Sequence, residues 1–121
     1  MAYDRNNIFA RILRGEIPCA KVYEDEHVLA FRDIAPQAPN HVLLIPKGEY
    51  ISAEDFSARA SAAEIAGLVR AIGKVSAGEG VAESGYRLIA NSGHAAHQAV
   101  PHFHLHLLGG RDLGALLVPR D

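Results

Sequence analysis

Cysteine, tryptophan and long apolar runs are what this sequence has least of. Its one cysteine is Cys19, so no disulfide can form within the chain and no cysteine-rich zinc site can be built. No stretch approaches the roughly 18 consecutive apolar residues of a membrane-spanning helix, and no apolar leader segment opens the chain. These absences predict a cytoplasmic protein that does not work at a membrane.

An excess of charge of one sign is also missing. Twelve basic and fourteen acidic side chains leave a net charge of −2 at pH 7, which argues against a nucleic-acid partner. Any phosphate group must therefore be held by a local site rather than by a basic surface. The length of 121 residues, 49% of them hydrophobic, predicts one domain over residues 1–121 with a single core.

What the sequence does have is a run of alternating histidine and apolar residues over 102–108, ended by two glycines. A period of two is typical of a half-buried β-strand and puts His102, His104 and His106 on one face. Buried imidazoles without hydrogen-bond partners are destabilising, so a core role is unattractive. Near neutral pH an imidazole is a nucleophile, an acid or a base. Histidines at this spacing also bind zinc in some enzymes, and the spacing alone leaves both interpretations open.

The remaining periodicities predict an α+β fold with a five-stranded, mostly antiparallel sheet and one long and one short helix. The short helix is expected over 6–14 and the long one over about 57–77, after a single helical turn at 52–56. Strands are expected over 20–24, 28–34, 41–45, 85–91 and 102–108.

Several residues near the histidine run are candidates for a binding site. The loop 91–100 is rich in small residues and favours a cradle of backbone N–H groups for phosphate, although an ordinary connection has the same composition. His41 is either structural or orients the other histidines. Asp33 is either a solvated loop residue or a carboxylate for ribose hydroxyls. Phe31 and Ile34 form either an apolar slot for a base or part of the core.

The segment HFHLHLLGGR at 102–111 resembles the defining motif of the histidine triad (HIT) superfamily. Further segments similar to its Hint branch, the nucleotide-binding phosphoramidases, are FRDIAPQAPNH at 31–41 and residues 8–18, 22–25 and 45–47. The resemblance covers about residues 6–111 and leaves 112–121 as a C-terminal tail, in which the usual Trp-Pro-Pro ending is absent.

The resemblance implies a homodimer with one continuous sheet that binds purine nucleotides such as AMP or GMP. It further implies hydrolysis of nucleoside 5′-phosphoramidates through a covalent nucleotidyl-histidine, with neither cofactor nor metal. The nucleophile of the family corresponds to His104, and the residue that contacts phosphate and leaving group corresponds to His106. His102 and His41 complete the histidine cluster.

The substrate-binding positions of the family fall on Asp33, Ile34, Asn91 and the stretch His97-Gln98-Ala99. Many Hint members have glycine in place of His97 and serine in place of Ala99. The loss of the serine hydroxyl leaves a second interpretation open, a non-catalytic nucleotide-binding or regulatory module.

Two further positions bear on a metal and on the dimer. Some relatives bind structural zinc through two cysteines at the positions of Asn7 and Ala10, so that site cannot form here. The long helix carries an apolar stripe with small residues beside it, which predicts close packing against something besides its own sheet. The resemblance implies that this is the same helix of a second subunit. The alternative is that its alanines only raise helix propensity on a solvent face. The stripe consists of Ile65, Leu68, Val69, Ile72 and Val75.

Overall fold

The computed structural model describes residues 2–116 as three α-helices on a five-stranded sheet. The helices are α1 (Ile8–Leu13), α2 (Ala53–Arg59) and α3 (Ala62–Gly78). The strands are β1 (Lys21–Glu24), β2 (Val28–Arg32), β3 (Asn40–Pro46), β4 (Tyr86–Ile89) and β5 (Leu105–Gly109). Across the sheet the order is β1-β2-β3-β5-β4, and every neighbouring pair is antiparallel. The predicted α+β class and five-stranded sheet are confirmed.

The predicted short and long helices are present, but the single turn expected at 52–56 is a third helix, α2, and the long helix α3 begins at Ala62 rather than at about residue 57. Ser52 caps α2, and Ser61 caps α3 in a reciprocal capping box with Glu64. Between them Ala60 has extended backbone angles, which ends α2 before α3 begins. No helix within residues 2–116 has the length and hydropathy to cross a bilayer.

Both faces of the sheet are covered. Strands β2 and β3 are accordingly apolar and buried at almost every position. One face packs on α2 and α3 and contains the larger core cluster. The opposite face packs on α1 through Phe9 and carries the histidines. Burial of each large aliphatic side chain contributes on the order of 1.5–3 kcal/mol. The histidine face is lined by Leu29, Phe31, Leu43 and Ile45.

The predicted apolar stripe of α3 is buried only in part. Leu68 and Val75 lie in the core, whereas Val69 is 61% exposed and Ile65 is 38% exposed. On the edge strand β4, Tyr86 and Leu88 are also more than a third exposed. The stripe is therefore wider than the surface that the sheet of one chain covers.

The predicted strand over 102–108 begins three residues late. The β3–β5 ladder starts at the pair Leu44 and Leu105, while the N–H of Phe103 donates to the carbonyl of Tyr50. The alternation of faces nevertheless holds, because Phe103 lies in the core and His102 and His104 contact α1. The two histidines before the ladder thus find partners other than a neighbouring strand.

Candidate active site

His104 is oriented by the backbone of His102. The His104 Nδ1 lies 2.7 Å from the carbonyl oxygen of His102. Because a carbonyl oxygen can only accept, Nδ1 carries the proton and Nε2 carries the lone pair. The edge of Phe9 packs on the ring with centroids 5.0 Å apart. Burial lowers the pKa of His104 below its ordinary value, so the imidazole is neutral near pH 7 and Nε2 is ready to act as a nucleophile.

His106 is oriented by a chain of hydrogen bonds that begins in the backbone. The N–H of Gln37 donates to His41 Nδ1 at 3.1 Å, so the proton of His41 is on Nε2. That Nε2 lies 2.9 Å from His106 Nδ1 and donates to it. The remaining proton of a neutral His106 is therefore on Nε2. His41 is buried and acts on the site through His106.

The charge state of His106 follows from its surroundings. Burial, together with the neighbouring imidazoles of His104 and His41, lowers the pKa of His106 to about 4. At neutral pH the free protein therefore holds His106 uncharged, with an N–H donor on Nε2. Such a donor suits a phosphoryl oxygen on which charge develops.

His102 uses both of its ring nitrogens inside the protein. Its Nε2 donates to the carbonyl of Pro46 at 2.8 Å, and its Nδ1 accepts from the hydroxyl of Tyr3 at 2.5 Å. The side chain is fully buried, and burial lowers its pKa to about 4. With no ring nitrogen left for a ligand, His102 serves the site through its backbone carbonyl. The sequence analysis missed Tyr3, which stands 99 residues away and in no pattern with the histidines.

An apolar pocket of about 270 Å³ opens beside the histidines between α1, β2 and β3. Phe31 is buried against Phe9 in its wall, which fits both the predicted slot and the core alternative. Ile34 borders the pocket but is 97% exposed, so it lies at the mouth rather than inside. Cys19 also lines the pocket. Four larger clefts, of about 770, 640, 380 and 350 Å³, lie elsewhere in residues 2–116. No triad histidine lines any of these clefts or the apolar pocket itself, but Phe9 and Asp33 of the pocket contact His104 and His41.

Asp33 follows β2 at the rim of this pocket. Its Oδ1 accepts from the N–H of Ala35 at 2.8 Å, and its Oδ2 lies 3.5 Å from His41 Nε2. The carboxylate thus joins the apolar pocket to the histidine chain, and its role toward ribose stays a prediction. Asn91 is half-buried two residues beyond Ile89, the strand partner of His106. Its contact with substrate also stays a prediction.

The loop before the histidines is pinned by the side chain of Gln98. The amide nitrogen donates to the carbonyl oxygens of Ile51 at 2.6 Å and Val100 at 3.0 Å. The amide oxygen accepts from the N–H of Gly93 at 3.0 Å. Gln98 therefore shapes the loop, and its contribution to phosphate binding would come through that shape.

Two of the three backbone amides predicted to cradle phosphate already have acceptors. The N–H of His97 donates to His94, and the N–H of Gln98 donates to Gly93. Among residues 2–116 only the N–H of Ala99 is left without an acceptor in this stretch of three. The predicted cradle of amides over 97–99 is thus narrower than expected.

His97 occupies a backbone conformation that suits glycine. Its φ of 58° and ψ of 44° lie in the left-handed region, which costs a residue with a Cβ roughly 1–2 kcal/mol. A glycine would adopt these backbone angles without that cost. The imidazole of His97 is exposed and is not among the groups that bond to the triad.

The fold brings together residues that could bind a metal ion. No acidic residue lies within the histidine run of the sequence, but the fold places Asp33 next to His41 and His106. One ligand atom from each of these residues lies within 4.8 Å of the others, a spacing that could hold a metal ion. Some relatives bind structural zinc at the positions of Asn7 and Ala10. Here the Asn7 side chain instead caps α1 by accepting a hydrogen bond from the N–H of Ala10.

Comparisons with known proteins identify the family of this chain. The HIT domain profile matches residues 14–113. The chain is 63% identical over 115 residues to an uncharacterized 13.2 kDa HIT-like protein of Azospirillum brasilense, covering 95% of this chain and 94% of that one. It is 47% identical over 110 residues to the purine nucleoside phosphoramidase of Escherichia coli K12, covering 91% and 92%.

Solved structures show the same fold. A HIT family hydrolase from Clostridium thermocellum superposes with a TM-score of 0.86 at 43% identity, over 95% of this chain and 99% of the other. A histidine triad protein from Clostridium difficile gives a TM-score of 0.83 at 37% identity, over 96% and 100%. Profile, sequence relatives and structural neighbours all lead to one conclusion: the chain belongs to the HIT domain family.

Proposed function

We propose that this protein is a hydrolase of nucleoside 5′-phosphoramidates with a purine nucleotide moiety, and that His104 is its nucleophile. The observation that carries the proposal is the hydrogen bond from His104 Nδ1 to the His102 carbonyl, which leaves Nε2 unprotonated. The relative from Escherichia coli is named a purine nucleoside phosphoramidase. Relatives of known structure are named HIT family hydrolases.

In the first step His104 Nε2 attacks the α-phosphorus and forms a P–N bond. The bond from phosphorus to the substrate amine breaks, and the amine takes that electron pair and a proton from solvent. The attached imidazole becomes cationic, and the His102 carbonyl that accepts from Nδ1 stabilises this charge. His106 Nε2–H donates to a phosphoryl oxygen as negative charge develops there.

In the second step water attacks the same phosphorus and the bond to His104 Nε2 breaks. The attacking water gives a proton to solvent, the nucleoside monophosphate leaves, and His104 returns to its neutral state with the proton still on Nδ1. Splitting the hydrolysis into two displacements at one nitrogen is covalent catalysis. The residues given roles here require no metal.

The substrate is proposed to lie across the histidine face with its base in the apolar pocket. Phe9 and Phe31 supply flat apolar walls for a purine. Asp33 at the rim is the proposed acceptor for ribose hydroxyls, with Ile34 over the mouth. Asn91 and the free N–H of Ala99 are proposed to contact the sugar–phosphate end.

A hydrolysis assay with adenosine 5′-phosphoramidate tests the proposal. The wild-type protein should release AMP, and His104→Asn should bind AMP but release none. The alternative of a non-catalytic nucleotide-binding or regulatory module, suggested by Ala99, makes the opposite prediction. Under single-turnover conditions that module would bind the nucleotide and leave the P–N bond intact.

A second candidate is metal binding at Asp33, His41 and His106, favoured by the spacing of their ligand atoms. A relative from Zea mays, 46% identical over 91% of this chain and 86% of its own, is named a 14 kDa zinc-binding protein. A zinc ion there would break the His41–His106 hydrogen bond and block catalysis. Elemental analysis of protein purified without an affinity tag decides it, since stoichiometric zinc would support metal binding.

We also propose that the protein is a homodimer with a continuous sheet. Within residues 2–116, β4 lies at one edge of the sheet, and the edge strand of a sheet pairs readily with another strand. The exposed Tyr86 and Leu88 of β4 and the exposed Ile65 and Val69 of α3 would be covered by a second copy. A cytoplasmic location remains a prediction.

A further inference from the structure

The buried histidine His102 receives a hydrogen bond from the N-terminal end of the chain. The Tyr3 hydroxyl lies 2.5 Å from His102 Nδ1, and the two rings meet edge to face with centroids 5.6 Å apart. Because Nε2 donates to the Pro46 carbonyl, the neutral ring has its lone pair on Nδ1 and Tyr3 is the donor. Tyr3 therefore supplies the second of the two bonds that hold this ring.

The residues that follow Tyr3 are fastened to the rest of the protein. The Arg5 side chain pairs with Glu49 at 3.1 Å, and the Arg5 carbonyl accepts from Arg14 at 2.7 Å. The Asp4 carbonyl accepts from the backbone and the side chain of Asn7, the cap of α1. α1 in turn places Phe9 against the triad. The position of the Tyr3 hydroxyl is therefore set by the contacts that hold residues 4 and 5 against α1 and Glu49.

His102 connects this bond to the nucleophile. Its ring is held at both nitrogens, and its own carbonyl oxygen accepts from His104 Nδ1. A shift of the His102 ring moves the residue that carries this carbonyl. The direction of the His104 Nε2 lone pair depends on the same carbonyl, so a disturbance at Tyr3 reaches the reacting nitrogen through one residue.

We propose that Tyr3 is a positioning residue for catalysis, whose hydroxyl holds His102 so that the His102 carbonyl orients His104 for attack on phosphorus. The inference deepens the proposed function and rests on it. Tyr3 touches neither substrate nor the reacting atoms in this account. Its contribution is to kcat, because substrate binding uses the pocket between α1 and β2.

The test is the variant Tyr3→Phe, which removes the hydroxyl and keeps the ring against His102. The matched control is Tyr23→Phe, since the Tyr23 hydroxyl donates to Asp25 at 2.6 Å in a partly buried place on β1, away from the triad. Tyr3→Phe should lower kcat for adenosine 5′-phosphoramidate by about tenfold, the equivalent of one hydrogen bond, with KM within about twofold. Tyr23→Phe should leave both unchanged.

Imidazole ¹⁵N spectra provide a readout that a merely structural role would not move. Tyr3→Phe should shift the Nδ1 signals of His102 and His104, and Tyr23→Phe should shift neither. Unchanged His104 signals, or an equal loss of kcat in the control, would overturn the proposal. If the wild type lacks phosphoramidase activity, the spectra still show whether Tyr3 controls His104, so the two failures are distinct.

The wild-type protein supplies a second measurement in case Tyr3→Phe does not fold. A hydrogen bond of this kind slows exchange of the Tyr3 hydroxyl proton and couples it to His102 Nδ1. Detection of that proton with its coupling is the expected result. A rapidly exchanging Tyr3 hydroxyl with no coupling to His102 would overturn the proposal without any variant.

Discussion

The Nδ1 of His104 donates to the backbone carbonyl of His102 at 2.7 Å. This single bond fixes the tautomer of the proposed nucleophile, because the second ring nitrogen must then carry the lone pair. Since the partner is a backbone atom, the arrangement depends on how residue 102 is held rather than on which side chain it has. The roles of His41, Asp33 and the dimer can each be tested separately from it.

His41 is predicted to act through the tautomer of His106. The variant His41→Ala removes the donor to His106 Nδ1 and frees His106 to place its proton on either nitrogen. We expect kcat for adenosine 5′-phosphoramidate to fall by roughly tenfold or more, as for the loss of a hydrogen bond to a catalytic group. His27→Ala, a half-buried histidine packed on α3, is the control. A kcat within twofold of wild type for His41→Ala would contradict the account.

Asp33 is predicted to bind ribose hydroxyls at the rim of the apolar pocket. Calorimetry should show that AMP binds more tightly than 2′,3′-dideoxy-AMP by about 1.5–3 kcal/mol in the wild type, the worth of hydrogen bonds to a charged group. Asp33→Asn should reduce that difference to near zero. Because Asp33 also contacts His41, the comparison of two ligands isolates the ribose from effects on the histidines. An unchanged difference in Asp33→Asn would refute the assignment.

The buried His102 makes a prediction about stability and pH. Burial lowers its pKa from the ordinary 6.5 to about 4, so the folded state binds fewer protons than the unfolded state between these values. The contribution of neutral His102 to the free energy of unfolding is fully present above about pH 6.5 and is lost as pH falls toward 4. By pH 5.5 the free energy of unfolding should drop by roughly 1.4 kcal/mol for this group.

Urea titrations at pH 7.5, 6.5, 5.5 and 4.5 measure this loss together with those of His104 and His106, whose pKa values are also lowered by burial, so the total drop should be at least that of His102 alone. The ion-paired carboxylate of Asp55, whose pKa is lowered to about 2 by Arg59, begins to lose stability only below about pH 4. The two pH windows are therefore separate. A free energy of unfolding that stays constant from pH 7.5 to 5.5 would show that the triad histidines, His102 among them, are not buried in their neutral form.

The dimer predicts a mass near twice the 13.0 kDa of the chain in light scattering at micromolar concentration. Val69→Glu places a charge on the exposed apolar part of α3 and should shift the mass toward that of the monomer. Ala58→Glu, also at an exposed helix position but on α2, should leave it unchanged. A wild-type mass near 13 kDa would rule the dimer out.

Local patterns predicted the fold and the face of the histidines. The period of two over 102–108 and the apolar runs of β2 and β3 depend only on near neighbours, and the structure confirms the sheet they imply. The start of β5 was missed because the N–H of Phe103 pairs with Tyr50 in a distant loop. The break at Ala60 was visible in the Ser61–Glu64 capping spacing but was outweighed by the continuous helical pattern around it.

The finer parts of the site depend on contacts between distant segments, which no local pattern encodes. Asp33 meets His106 only because β2, β3 and β5 are neighbours in the sheet. Tyr3 reaches His102 across 99 positions of sequence. The side chain of Gln98 binds backbone groups of its own loop and of Ile51. Its polar character alone does not predict which groups it binds. The sequence pointed to the candidate residues, and the fold determined how they are held.

The most direct test of the central claim is to trap the covalent intermediate. Wild-type protein mixed with adenosine 5′-phosphoramidate under single-turnover conditions and quenched in base, where phosphoryl-histidine bonds survive, is analysed by intact and peptide mass spectrometry. The account predicts one added nucleotidyl group on His104 and none in His104→Asn. Turnover with no such adduct at any time point, or an adduct on another residue, would contradict it.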